Sequence, residues 1–167
     1  MKNSKTSFVT MAAIIAALYV VLTFISSLFG MSSGVIQVRL SESLIFLAAY
    51  TPAAVPGLFV GCLLSNILTG CCLLDIVAGS IATLIGAALG YVLRKYKFLI
   101  PVPTIIANAL IVPIVLIYGY GVDLPYIYQV ATVGAGEIIS AGGIGLVLYF
   151  ALEKVQFRNR IQSLRTQ

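Results

Sequence analysis

The sequence contains no histidine, only five acidic residues and only 9% charged residues. The absence of histidine removes the commonest metal ligand and the commonest general base of proteins. Soluble domains average about 25% charged residues, so the low charge excludes a soluble domain. The chain also lacks a Gly-x-x-x-x-Gly-Lys-Ser/Thr run, which excludes ATP binding by that loop. We therefore expect no metal, no cofactor and no nucleic-acid partner.

Cysteine is scarce, and its three positions do not suggest a disulfide. Cys62, Cys71 and Cys72 form an odd set within apolar sequence. Cys71 and Cys72 are adjacent, which is a poor geometry for a bridge between them. The three residues are therefore predicted to be small buried hydrophobic groups.

Apolar residues make up 60% of the chain, and the mean hydropathy is +1.09. A helix needs about 20 apolar residues to cross a bilayer, so the 167 residues have room for five or six spans. The chain is predicted to be one integral membrane domain, all-α, covering residues 1–167. The first apolar run, residues 8–29, is longer than the core of a signal peptide, so we expect it to be a retained helix.

Hydropathy and helix-breaking residues predict six helices. They cover about residues 8–29, 40–50, 54–68, 73–93, 98–118 and 126–152. Residues 40–68 are ambiguous because Pro52 and Pro56 lie at their centre, so that they form either one kinked span or two short ones. Six spans place three basic clusters on one side of the membrane: Lys2 and Lys5; Arg94, Lys95 and Lys97; and Lys154, Arg158, Arg160 and Arg165. Since cytoplasmic loops are enriched in lysine and arginine, we expect a six-helix bundle in the cell membrane with both termini cytoplasmic.

Five polar residues converge on the outer half of this predicted bundle. They are Glu42, Asn66, Asp75, Asn108 and Glu137. A carboxylate in a membrane span costs roughly 3 kcal/mol or more unless it is paired, so it is a functional candidate. A carboxylate can accept two parallel hydrogen bonds from a guanine-like edge, and an amide offers both a donor and an acceptor. Further acids favour a ligand that also carries positive charge. The pattern predicts an outward-facing cup, with Asn108 at its floor and Tyr118, Tyr120, Tyr126 and Tyr128 around its rim.

Each of these residues also has a structural interpretation. Arg39 lies three residues before Glu42, a spacing that permits an ion pair at a helix start. Asp75 is placed as a cap or first-turn acid of a helix, and an asparagine can join two helices by hydrogen bonds. Glu137 has no basic residue near it in sequence, which favours a functional role.

Small residues recur at helical spacing in two places. Ala13 and Ala17, with Ala12 and Ala16, form a stripe on the first helix. Ala82, Gly86 and Gly90 form another on the predicted fourth helix. Such stripes allow close packing of membrane helices. We expect them inside the bundle, unless the first stripe faces outward and serves as a docking surface for another membrane subunit.

Four runs of the sequence resemble the QueT family. They are Val-Arg-Leu-Ser-Glu at 38–42, Thr-Pro-Ala-Ala-Val-Pro-Gly-Leu-Phe-Val-Gly-Cys at 51–62, Leu-Asp-Ile-Val-Ala-Gly-Ser at 74–80 and Val-Gly-Ala-Gly-Glu-Ile-Ile-Ser at 133–140. The proline-rich run is the most specific, and the resemblance extends over about residues 12–152. Ala78 departs from it, since an aromatic residue is expected there.

The resemblance implies a substrate-binding subunit (S component) of an energy-coupling factor (ECF) transporter for queuosine precursors. The implied fold is a six-helix bundle whose outer site is closed by the first loop, residues 30–39. The implied ligand is a 7-deazaguanine such as 7-aminomethyl-7-deazaguanine. The implied partners are an EcfT-like transmembrane coupling subunit, docked at Ala13 and Ala17, and two ATPase subunits. The chain itself would then catalyse no reaction.

The same resemblance implies roles for the polar residues. Glu137 and Asn108 would bind the purine edge, Glu42 or Asp75 would hold the aminomethyl cation, and Arg39 would tether the first loop to an acid. The competing hypothesis is an autonomous proton-coupled carrier that uses Glu137 and Asp75, but the sequence has no convincing internal repeat of the kind such carriers contain. An intramembrane enzyme is disfavoured because the chain lacks a metal-ligand cluster and a nucleophile motif.

Overall fold

The computed structural model describes residues 2–31 and 37–165, and in this part of the chain all regular structure is helical. The α-helices are α1 (Lys2–Leu28), α2 (Ala54–Leu68), α3 (Leu73–Val92), α4 (Val102–Tyr120), α5 (Tyr126–Glu137) and α6 (Gly145–Arg165). A 3₁₀ helix (Leu40–Ala49) precedes α2, and a shorter one (Lys97–Leu99) precedes α4. A π-helical segment (Ile138–Ile144) joins α5 to α6 without a break.

Four helical stretches are long and apolar enough to cross a membrane. They are Lys5–Leu28, Leu73–Val92, Lys97–Tyr120 and Tyr126–Val155. The remaining two predicted helices, Leu40–Ala49 and Ala54–Leu68, are apolar but shorter. Two short helices thus lie on either side of residues 50–53, and the prediction that both cross the membrane stays a prediction.

The first of these short helices is wound as a 3₁₀ helix and lies inside the bundle. Its side chains Ile45, Phe46 and Ala48 are at most 1% exposed. The 3₁₀ helix packs against α1, α2, α3, α6 and the π-helical segment. Each residue of a 3₁₀ helix rises about 2.0 Å, so the ten residues extend about 20 Å. The surrounding helices thus shield this element from lipid.

Small residues bring neighbouring helices into close contact. A Cβ added to Gly57 would lie 2.8 Å from the carbonyl oxygen of Ala12, and one added to Gly61 would lie 3.0 Å from that of Ala16. The alanines of the α1 stripe therefore lie on two different faces of the helix. Ala16 is buried and Ala12 half-buried against α2, whereas Ala13 and Ala17 are exposed.

The second stripe packs α3 against α4, as expected. A Cβ on Gly86 would overlap the side chain of Thr104, and one on Gly90 would lie 2.9 Å from the carbonyl oxygen of Ile100. Ala82 is fully buried. The absence of larger side chains thus sets the spacing between these helices.

The three cysteines are free, as predicted. Cys62 is buried in the apolar core. Cys71 and Cys72 are only partly buried, because they lie in the turn between α2 and α3.

Candidate functional site

The predicted polar residues gather at one end of the bundle, where α1, α2 and α4 end and α3 and α5 begin. Glu42, Asn66, Asp75, Asn108 and Glu137 are each no more than 5% exposed. They lie around two adjoining cavities. The first loop, predicted at residues 30–39, is described in part, since residues 32–36 lie outside the described residues.

The inner cavity contains Glu137 and Asn108. The Asn108 side-chain amide donates a 2.9 Å hydrogen bond to Oε1 of Glu137. The other carboxylate oxygen, Oε2, is buried and has no hydrogen-bond partner among the described residues. This cavity has a volume of about 10 Å³, which is room for about one water molecule. Glu137 therefore presents an unused acceptor to a nearly closed space.

Glu42 faces the same cavity from the 3₁₀ helix. Its Oε1 accepts a hydrogen bond from the hydroxyl of Tyr19 in α1, a side chain that is 1% exposed. The next polar residue of α1, Thr23, bonds to Ser41 at 3.0 Å. The start of the 3₁₀ helix is thus fixed to α1 through polar groups, and Glu42 is held at the cavity wall.

The outer cavity is larger, with a volume of about 360 Å³. Its polar lining comes from the ends of α1, α2 and α4, the start of α3, the first loop and the turn after α2. These residues are Thr23, Ser27, Gln37, Arg39, Asn66, Thr69, Cys71, Asp75 and Tyr120. Small-molecule sites typically have volumes of about 300–1,000 Å³, so a compact ligand fits here. Val112, Val115 and Leu116 provide an apolar wall.

Asp75 joins three elements at the outer cavity. Its Oδ2 accepts a 2.9 Å hydrogen bond from the hydroxyl of Tyr120 in α4 and lies 3.8 Å from the guanidinium of Arg39. Its Oδ1 is buried, has no hydrogen-bond partner in the described part of the chain, and lies beside Gly79 of the inner cavity. Asp75 is in the first turn of α3, as predicted, but the N-cap is Cys72.

The ion pair of Arg39 is therefore with Asp75, 36 positions away in sequence, and not at the i,i+3 spacing with Glu42. Arg39 precedes the 3₁₀ helix in an extended conformation, with φ −104° and ψ 106°. Its side chain lines both cavities, and so does Gln37. Residues 37–39 consequently form a partition between the two spaces.

Asn66 combines the structural role expected of a buried amide with a position at the outer cavity. Its side-chain nitrogen donates to the carbonyl oxygen of Asp75 at 3.3 Å, which joins α2 to α3. It also lines the outer cavity. Asn108 likewise joins two helices, since its bond to Glu137 connects α4 with α5.

Several site residues were missed in the sequence. Tyr19 and Thr23 of α1 and Thr83 of α3 line a cavity or bond to a lining residue. A signal for the first two exists, since Tyr19, Thr23 and Ser26 follow helical spacing and all three are buried. All four predicted rim tyrosines are exposed, and of these Tyr120 alone lines one of the two cavities.

This arrangement leaves buried acceptors available to hydrogen-bond donors. Two buried carboxylates each retain one oxygen without a partner in the described structure, and such oxygens accept strong hydrogen bonds from N–H groups. No group of three His, Cys, Asp or Glu residues in the described ranges could hold a metal ion.

Sequence comparisons match this chain to known proteins. The sequence model described as "QueT transporter" matches residues 9–154. The "Queuosine precursor transporter QueT" of Lactococcus lactis subsp. cremoris (strain MG1363) is 40% identical to this chain over 93 residues, which are 56% of this chain and 54% of that protein. The match thus spans about half the length of that relative. No solved structure matches the chain.

Proposed function

Because this chain belongs to the QueT transporter family, we propose that it binds a queuosine precursor and delivers it as the substrate-binding subunit of an ECF transporter. Its apolar helices and its family make it a multi-pass membrane protein. The proposed ligand is a 7-deazaguanine, with 7-aminomethyl-7-deazaguanine as the first candidate.

The observation that carries this proposal is the unused acceptor of Glu137. Its carboxylate is oriented by Asn108 through one oxygen and presents the other to the inner cavity. A guanine-like edge offers a ring N–H and an exocyclic amine side by side, which a carboxylate can accept together. Glu137 and Asn108 are therefore proposed to bind the purine edge.

The remaining acids suit the positive charge of an aminomethyl group. Asp75 and Glu42 face adjoining cavities, and Asp75 already lies beside the guanidinium of Arg39. A buried carboxylate with a cationic partner forms a strong charge-assisted hydrogen bond. Asp75 is the better candidate for the ligand cation, because the larger cavity has space beside it.

The cavity sizes suggest how the ligand enters. The outer cavity of about 360 Å³ can admit a small molecule, whereas the inner cavity of about 10 Å³ cannot. Contact between a ligand and Glu137 therefore requires the side chains of Gln37 and Arg39, which line both cavities, to move. We infer that the ligand first occupies the outer cavity and then reaches Glu137 as these side chains move.

Partner subunits and orientation form the second part of the proposal. Ala13 and Ala17 leave a flat exposed surface on α1, which suits close approach of a helix from an EcfT-like coupling subunit. Two ATPase subunits bound to that protein would supply the energy. The basic residues Arg94, Lys95 and Lys97 lie at the end of the bundle opposite the cavities, which favours a cytoplasmic location for that end and for both termini.

The proposal is tested by calorimetric titration of the purified chain in detergent. The ligands are 7-aminomethyl-7-deazaguanine, the 7-cyano analogue, guanine and riboflavin. Tight binding of the aminomethyl compound, with weaker binding of guanine and no binding of riboflavin, is expected. If the folded protein binds none of the deazaguanines, the proposed substrate is wrong.

Uptake in vesicles distinguishes the proposed class from an autonomous carrier. The ECF assignment requires uptake only when the coupling subunit and both ATPases are present together with ATP. Uptake by the isolated chain that follows an imposed proton gradient would instead support a carrier that uses Glu137 and Asp75.

A further inference from the structure

The partition between the two cavities rests on a close backbone contact at Gly136, one residue before Glu137. A Cβ built on Gly136 would overlap the carbonyl oxygen of Gln37 and lie 2.9 Å from its carbonyl carbon. These are backbone atoms, so a side chain here could be accommodated only if the segment that carries Gln37 moved away. Gly136 thus permits residues 37–39 to lie directly against α5.

Ser140 provides a second attachment for the same segment. Its hydroxyl oxygen accepts a 3.1 Å hydrogen bond from the backbone N–H of Arg39. The same hydroxyl donates a 2.8 Å hydrogen bond to the carbonyl oxygen of Gly136. Gly136 of α5 and Ser140 of the π-helical segment therefore form one attachment site, here called the seat, for residues 37–39.

The π-helical segment between α5 and α6 allows two glycines to contact the residues from Gln37 to Phe46. A Cβ on Gly145 would lie 2.7 Å from ring carbons of Phe46, so Gly145 is a second point of close approach, nine positions after Gly136. Nine residues of an α-helix make about two and a half turns, which would place the two glycines on opposite sides. The wider turns of a π-helix between them turn both glycines toward the segment that runs from Gln37 to Phe46.

The seat controls the position of a charged side chain in the ligand site. Among the described residues of the first loop, Gln37 and Arg39 line both cavities. The guanidinium of Arg39 reaches Asp75 from a backbone fixed at Ser140. A shift of this backbone would move the guanidinium away from Asp75 and change the partition.

We propose that Gly136 is a positioning residue for substrate binding, because its contact with the Gln37 carbonyl holds Arg39 beside Asp75 at the boundary between the two cavities. This inference rests on the proposed function for its ligand, although the contact itself is independent of that ligand. Gly136 is not expected to touch the substrate. It acts through Arg39.

The first test compares two identical substitutions on α5. A Cβ on Gly134 would meet only the Cβ of Ala109 at 3.6 Å, an ordinary contact, so Gly134→Ala is the control for Gly136→Ala. Calorimetry with 7-aminomethyl-7-deazaguanine should show a loss of affinity of about tenfold or more for Gly136→Ala, because displacement of the Gln37 carbonyl moves the guanidinium of Arg39 away from Asp75. The affinity of Gly134→Ala should stay within about twofold. Wild-type affinity in folded Gly136→Ala would overturn the proposal.

A double variant separates positioning from general packing. If Gly136 acts through Arg39, then Gly136→Ala should reduce affinity by less than about threefold in an Arg39→Gln background, because coupled residues are not additive. An undiminished loss in that background would show that Gly136 acts by another route and would overturn the proposal.

Two measurements keep the test decisive if Gly136→Ala does not fold or if no ligand binds. Ser140→Ala removes the hydrogen bond to the Arg39 backbone without adding atoms that could overlap with residue 37. It should weaken ligand binding, and its effect should not add to that of Arg39→Gln. Wild-type affinity of Ser140→Ala would contradict the role of this attachment. Hydrogen–deuterium exchange of the backbone at Gln37–Leu40 needs no ligand. Exchange there should be faster in Gly136→Ala, or in Ser140→Ala, than in wild type and Gly134→Ala, because local opening exposes the amides. Unchanged exchange would overturn the seat, while absence of ligand binding with faster exchange would overturn only the proposed substrate.

Discussion

Asn108 donates a hydrogen bond to one carboxylate oxygen of Glu137 and leaves the other without a partner in the described structure. The pair joins α4 to α5 and at the same time orients an acceptor toward the inner cavity. The sequence left two interpretations open for Asn108, a helix-joining amide or a residue of the ligand site. The hydrogen bond to Glu137 combines them, because the amide that joins the helices also positions the acid.

Replacement of Glu137 by Gln should weaken binding of 7-aminomethyl-7-deazaguanine by about 2–5 kcal/mol, because one partner of a buried charged hydrogen bond is lost. Calorimetry measures this loss. Glu153→Gln is the matched control, since Glu153 lies exposed on α6, and it should bind as wild type does. Unchanged affinity in Glu137→Gln would remove Glu137 from the site.

Replacement of Asp75 by Asn should alter selectivity between ligands. Loss of the charge beside Arg39 should weaken binding of the aminomethyl compound by about 2–5 kcal/mol and that of the neutral cyano compound by much less. The ratio of the two dissociation constants reports the difference. Asp123→Asn, in the exposed turn before α5, is the control. An equal loss for both ligands would mean that Asp75 does not contact the cation.

Replacement of Tyr120 by Phe should lower the free energy of unfolding by about 1.5–3 kcal/mol, because its hydroxyl donates to the buried carboxylate of Asp75. Unfolding in increasing concentrations of SDS measures the change. Tyr118→Phe provides the comparison, as Tyr118 is 79% exposed, and no change is expected there. Equal stability of the two variants would indicate that the hydrogen bond contributes little.

Replacement of Gly61 by Ala should destabilise the contact between α1 and α2. The added Cβ would lie 2.6 Å from the Cβ of Tyr19, and overpacking of this kind costs about 1–3 kcal/mol. The same unfolding assay with Gly134→Ala as control checks it. Since Tyr19 also bonds to Glu42, ligand affinity should fall together with stability. A variant as stable as wild type would show that α1 can move without cost.

Replacement of Ala17 by Leu should block association with the coupling subunit but leave ligand affinity unchanged. Ala17 is exposed on α1, away from both cavities, and a larger side chain prevents close approach of another helix. Co-purification with the coupling subunit measures the loss. Ala88→Leu introduces the same change on the exposed face of α3. Normal association of Ala17→Leu would place the docking surface elsewhere.

The sequence predicted the membrane class, the short helices and the gathering of polar residues, because each depends on strong local patterns. Acids and amides in apolar segments have few stable positions other than the interior of a bundle. Pro52 and the turn at residues 50–53 ended one short helix and started the next near the predicted positions. The predictions of ligand, partners and orientation stay predictions.

The partner of Arg39 could not be predicted from spacing alone. The i,i+3 rule assumes that both residues lie on one helix, but Arg39 is extended and lies outside the 3₁₀ helix that contains Glu42. The π-helical segment was also missed, because its seven residues lie within the single apolar helix predicted over residues 126–152. Its turns widen where Gly136 and Gly145 contact another part of the chain, and such contacts are invisible to local sequence.

The central 3₁₀ helix has a consequence for how a solute could cross. Below Glu42, its residues Ile45, Phe46 and Ala48 form a buried apolar layer, and the ring of Tyr149 packs against that of Phe46 with centroids 5.5 Å apart and planes tilted by 49°. At about 2.0 Å per residue, the stretch from Leu44 to Ala48 is about 8 Å thick. A molecule bound at Glu42 would therefore have this apolar layer beneath it. Under the proposed function, release on the opposite side would require the protein to reorient or its helices to separate.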